Sequence, residues 1–161
     1  MRENVSFMAW GNFQRSREVM NMENTQQEMA IRKILTNSKT IAVVGISADL
    51  KRASNYVAKY LQKKGHIIIP VNPNLQFWEG IECYPELRSI PKSIQIDVVV
   101  VFRKPEFCAE IALAAVEMNA GVLWLQEGIR SADAEKIAGA ARMPIIQDRC
   151  MMKEHRRLFG D

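Results

Sequence analysis

The residue types best suited to chemistry cluster in Thr40 to Ser54, TIAVVGISADLKRAS. Gly45, Ile46, Ser47 and Ala48 follow an apolar β-branched run, and a short charged loop with Asp49, Lys51 and Arg52 leads to Ser54. Backbone amides at the start of a helix, the positive end of its dipole, two hydroxyls and a flexible cation make a cradle for an anion, and phosphate suits it. The same stretch also reads as an ordinary connection between a strand and a helix. A second cationic pair, Arg103 and Lys104, follows another apolar run, IDVVVVF.

Several chemistries lack their residues. The dinucleotide fingerprint GxGxxG is missing, since no glycine follows Gly45 before Gly65, and Asn72 stands where a binder of NAD would place an acidic residue for the ribose hydroxyls. A GxxxxGK phosphate loop is missing too. His66 and His155 are the only histidines, and order alone suggests no Ser/His/Asp or Cys/His set. Cys83, Cys108 and Cys150 are far apart without a CxxC pair, which fits reduced thiols better than a disulfide framework or a zinc site. Cys108 and Trp124 read as core, His66 as a satisfied strand-end histidine, and Arg149, Arg156 and Arg157 as solvated.

A length of 161 residues suits one domain with a real core. The net charge of +4 fits a polyanionic small ligand as well as nucleic acid, but no run of like charges or aromatic-interleaved basic stripe supports nucleic-acid binding. No stretch reaches the roughly 18–20 apolar residues of a membrane helix, so no membrane partner is expected. A soluble, cytoplasmic protein is expected. Residues 1–22 lack the apolar core of a signal peptide and carry Glu3 and Glu18, so they read as a flexible extension, with Met20 and Met22 as alternative starts. The domain is then expected over residues 23–161.

The elements that must position these residues alternate in type. Thr25 with Glu28 resembles a capping box that opens a helix to Asn37 beside the sheet. Strand Ile41 to Val44 leads through the cradle to a helix from Asn55, capped by Ser54 and stopped at Gly65. His66 to Val71 is a second strand, ended by Asn72-Pro73-Asn74; a short edge strand at Glu82 to Tyr84 and a brief helix near Glu86 to Ile90 come next. Strand Ile96 to Phe102 then runs into Arg103-Lys104-Pro105, which opens a helix with Glu106 in its first turn and a stop near Asn119. Strand Gly121 to Leu125, a helix capped by Ser131 and a strand Pro144 to Ile146 complete the series before a basic tail. This order predicts an α/β fold, an open, doubly wound, mainly parallel Rossmann-like sheet flanked by helices. In such a sheet the ligand lies outside the carboxyl ends of the strands where the winding reverses, between the loops after the first and fourth strands. Both loops are basic.

VVGIS, then PVNP, VVVFRKPE, LWLQEGI and QDRC, in that order over residues 25–158, resemble the single-domain CoA-binding proteins of bacteria. The same motifs are similar to the CoA-binding domain at the N-terminus of the succinyl-CoA synthetase α subunit. The resemblance implies CoA as ligand across the carboxyl edge, with phosphates at Gly45, Ile46 and Ser47 and with Arg52 and Ser54 nearby. It implies adenine and ribose near Val71, Asn72 and Pro73, a facing wall of Phe102, Arg103 and Lys104, and a pantetheine path along Gln126 and Gly128. The cations and the cradle are also supported by the residues themselves; the ribose and pantetheine contacts rest on resemblance. Since the synthetase continues into a phosphohistidine domain and this chain ends at Asp161, a CoA or acyl-CoA binding module without catalysis is expected, a sensor or carrier. Two other readings stay open: an NAD(H)-sensing Rossmann domain, and a small subunit of an acyl-CoA-processing enzyme whose catalytic chain is separate. Cys150 is expected either near the thiol end of the ligand or as a buried structural thiol.

Overall fold

A computed structural model describes the backbone of residues 4–161 and the side chains from residue 11 onward. It divides into two compact units, residues 1–37 and 38–161. The described part of the first is one helix, α1, Asn4–Asn37. The expected start at Thr25 is not a helix end: the Thr25 hydroxyl donates to the Asn21 carbonyl at 2.8 Å, one turn back. A threonine can satisfy its hydroxyl this way inside a helix, and no proline or glycine between Asn12 and Glu28 interrupts the run. Side chains 11–30 are exposed.

The second unit is built on a five-stranded parallel sheet: β1 Thr40–Val44, β2 Ile67–Val71, β5 Val98–Val101, β6 Val122–Leu125 and β7 Ile145–Ile146, in the order β2-β1-β5-β6-β7. A small antiparallel hairpin, β3 Phe77–Trp78 with β4 Ile81–Glu82, and a bridge from Val71 to Tyr84 replace the single edge strand expected there. All four residues of β5 and of β6 are buried, which fits strands covered on both faces. Residues of alternate parity, Val44, Val71, Val99, Val101, Leu123 and Leu125, share one core cluster with helices α3, Cys108–Glu117, and α4, Ala132–Ala140. Opposite lie α2, Ala53–Lys63, and α5, Met151–Phe159; the indole N–H of Trp124 donates to the Arg149 carbonyl at 2.7 Å from that face.

Helix ends follow local chemistry in part. Ser131 caps α4 by accepting from the Ala134 amide at 3.1 Å, and Gly65 leaves α2 with φ +96. Ser54 does not cap α2. The N-cap is Arg52, without a side-chain bond, and Ser54 is buried in the first turn. The basic tail is a helix instead, α5, whose Met151 and Glu154 are buried and hold it to the domain. Spacing of Met151, Glu154, His155 and Leu158 at i, i+3, i+4 and i+7 is the amphipathic signal for it. Arg149 and Arg157 are accordingly not simply solvated, since both pair with Glu154, and Arg156 pairs with Asp161 and lies over the Tyr60 ring. Among the described residues no helix is long and apolar enough to cross a membrane.

Candidate functional site

Strand register brings the expected site residues to one edge. Val71, Val44, Val101 and Leu125 are in line across four strands. The next residue of each strand is therefore Asn72, Gly45, Phe102 or Gln126, a single row at the carboxyl edge. Backbone bonds tie this row together: Gly45 N–H to the Val71 carbonyl at 3.0 Å, Phe102 N–H to Val44 at 2.9 Å and Gln126 N–H to Val101 at 3.3 Å. The winding reverses between β1 and β5, so the crevice expected from topology lies between the loops at Gly45 and Phe102.

Gly45 is required by geometry as much as by any ligand. Its φ is +84, and a Cβ there would lie 2.7 Å from the Phe102 carbonyl oxygen and 3.1 Å from Cδ of Arg103. Beyond it the loop carbonyls are occupied by side-chain amides. Asn72 Nδ2 donates to Ile46 at 2.6 Å, and Asn55 Nδ2 donates to Ser47 at 2.8 Å. Asn72 Oδ1 also accepts from Asn74 N–H, so the polar side chain at the end of β2 is committed to backbone. Ile46 is fully buried. Ser47 Oγ accepts from Asp49 N–H at 3.1 Å, and no side chain caps the α2 N-terminus that follows. Arg52 is exposed there, with no side-chain partner among the described residues.

Two cavities flank Arg103. One, of about 210 Å³, is walled by Gly45, Val71, Pro73, Arg88, Arg103 and Phe107 among others. The other, of about 450 Å³, is walled by Phe102, Arg103, Lys104, Gln126, Gly128 and Cys150 with the start of α2 and of α5. The Arg103 guanidinium stacks over the Phe107 ring at 4.4 Å, which holds a cation between the two. Ile46, Ser47, Arg52, Ser54 and Asn72 line neither cavity.

Residues that sequence reasoning missed hold the far loop. Asp148, with φ +55, accepts from Gly128 N–H at 2.7 Å and from Arg130 Nε at 3.3 Å, while Gln147 Oε1 accepts from Ser131 N–H at 2.9 Å. The bond from Gly128 above all, helped by Arg130 against the cost of desolvation, holds the Asp148 carboxyl below its ordinary value of 3.8. Asp148 in the DRC motif was the available signal. Both histidines stand outside the two cavities: His66 Nδ1 is 2.9 Å from the Ser38 carbonyl, and His155 Nδ1 is 2.9 Å from the Tyr60 hydroxyl. Burial is the main cause that lowers both imidazole pKa values and favours neutral rings.

Residues 39–156 match the model of a family described as CoA binding domain. The chain is similar to YneT of Bacillus subtilis (strain 168), at 36% identity over 125 residues, 78% of this chain and 91% of that protein. A solved structure of a hypothetical protein from Pyrococcus horikoshii OT3 is similar with a TM-score of 0.79 and 41% identity, covering 83% of this chain and 92% of that one. An ADP-forming acetate–CoA ligase II of Archaeoglobus fulgidus is 30% identical over 106 residues, 61% of this chain and 16% of the ligase.

Proposed function

Because the chain belongs to the CoA-binding domain family, which it matches over residues 39–156, we propose that it binds CoA or an acyl-CoA and has no catalysis of its own, acting as a sensor or carrier. The phosphates lie against Gly45, Ile46 and Ser47 at the uncapped start of α2, with Arg52 and Ser54 beside them. Adenine and ribose lie at Val71, Asn72 and Pro73. Phe102, Arg103 and Lys104 face them, and pantetheine passes Gln126 and Gly128. The observation that carries this reading is the row Asn72, Gly45, Phe102 and Gln126, with cations following two of its members. Engagement of the Ile46 and Ser47 carbonyls by Asn72 and Asn55 supports it further, since carbonyl oxygens held away from the crevice do not repel an anion there.

Neither histidine of the chain lines either cavity. Localisation in the cytoplasm, with no nucleic-acid or membrane partner, belongs to the same reading. So does a domain of residues 23–161 preceded by an extension of residues 1–22. Calorimetry tests the proposal: CoA should bind and NADH should bind far more weakly, because Asn72 offers no carboxylate to ribose hydroxyls. Equal affinity for the two would favour an NAD(H)-sensing domain instead.

Similarity to an acetate–CoA ligase supports a second reading, in which the chain is the CoA-binding subunit of an acyl-CoA-processing enzyme with a separate catalytic chain. Acyl-CoA synthetase or thioesterase turnover by the purified chain, abolished by a point change in it, would remove the non-catalytic reading. Recovery of an ATP-grasp protein with the chain would favour the second.

A further inference from the structure

Cys150 and Gln126 both line the larger of the two cavities. Cys150 is half-buried at the N-cap of α5 and lines that cavity with Lys104. Cys83 and Cys108, by contrast, are buried and line neither cavity. Gln126 is 4% exposed and lines the same wall. Its Oε1 accepts from the Met151 amide at 3.4 Å, which ties it to the residue next to Cys150, while its Nε2 has no partner. A buried donor without an acceptor is costly and uncommon, and a carbonyl presented from the cavity would satisfy it. The arm of CoA that ends in the thiol carries two amide carbonyls. One wall therefore offers a donor for the amide arm and, one residue from the donor's anchor, a sulfur for the sulfur at its end.

We propose that Cys150 is a thiol–disulfide exchange site for oxidised CoA, an inference that rests on the CoA reading above. The Cys150 thiolate attacks one sulfur of CoA disulfide. The disulfide bond breaks, a new one forms between Cys150 Sγ and the CoA held in the site, and the second CoA leaves as a thiolate. The leaving thiolate takes up a proton in place of the one that Cys150 released, so the disulfide is the only oxidant required. Lys104 lines the same cavity as Cys150 and has no acidic partner among the described residues.

The test uses the full, reduced chain with CoA disulfide, and with glutathione disulfide as comparison, followed by peptide mass mapping. A CoA adduct should appear on Cys150, on the order of tenfold or more faster than a glutathione adduct, because binding pre-positions the disulfide. Saturating desulfo-CoA should slow it, and Cys150→Ser should carry no adduct. Calorimetry with reduced CoA on the same preparation separates two failures. If CoA binds but Cys150 stays unmodified, or reacts no faster than with glutathione disulfide, or the adduct sits on Cys83 or Cys108, exchange at Cys150 is overturned and the functional reading stands. If CoA does not bind, the functional reading falls and takes this inference with it.

Discussion

The two loops at the carboxyl edge are held by different means. The loop after β1 is shaped by backbone fit and neutral amides: Gly45 against Phe102, Asn55 on Ser47, Asn72 on Ile46, and a chain of turns through Asp49. The loop after β6 is held from the end of β7 by a carboxylate and an amide, through Asp148 to Gly128 and Gln147 to Ser131. The first loop is set by backbone fit and uncharged amides, the second above all by a carboxylate. A backbone fit admits few substitutions but survives changes of charge, whereas a carboxylate clamp tolerates shape changes and fails with protonation.

Four changes test this contrast, in falling order of effect. Gly45→Ala should destabilise most, since a left-handed backbone costs a non-glycine residue roughly 1–3 kcal/mol before the contact with the Phe102 carbonyl is added. For a chain of this size the strain alone is a fall in Tm of roughly 2–12 °C in a thermal melt, at about 2–4 °C per kcal/mol. A smaller shift would mean that the β1 and β5 ends can separate freely.

Asp148→Asn comes next, because asparagine tolerates the same positive φ while it removes the charge and one of the two acceptor oxygens. The folded carboxyl titrates below the unfolded one, so its contribution is present above about 3.8 and is lost as pH falls through the folded value. The gap in Tm between wild type and variant should therefore be full near neutral pH and close in acid; a gap that persists below that range would assign the clamp to shape. Arg52→Ala follows. A charge-assisted bond to phosphate is worth roughly 1.5–3 kcal/mol, so CoA should bind about tenfold or more weakly by calorimetry, with the deficit shrinking as salt rises. Stability should change by about 0.5 kcal/mol or less, because the side chain is exposed. Unchanged affinity at low salt would shift the role to Arg103 or Lys104. Smallest of all, removal of residues 1–22 should leave Tm nearly unchanged, given that the described side chains of that segment are exposed; a fall of many degrees would make the segment part of the fold.

The alternation of apolar runs with capped, periodic segments was enough to read strands β1, β2, β5 and β6, helices α3 and α4 and the parallel class, because each of these signals is local. Local signals also misled. Thr25 with Glu28 has the composition of a capping box, yet its hydroxyl bonds within a continuing helix, and Ser54 has a capping side chain that the structure buries. The helix at the end of the chain was passed over as a basic tail because charge hid the spacing of Met151, Glu154 and Leu158.

Residue order by itself determined that Gly45 and Gln126 follow buried strands, that Phe102 lies at the end of another, and that cations follow two of those strands. Tertiary structure alone decided that they share a row, because strand register is a property of pairing and not of any one segment. It also decided which polar groups remain available at the edge. Asn72 looks from the sequence like a group free for a ligand, and only the fold shows its amide committed to Ile46 and Asn74. Hydrogen-bond capacity is finite, and whether a side chain has any left depends on backbone groups brought to it from elsewhere in the chain.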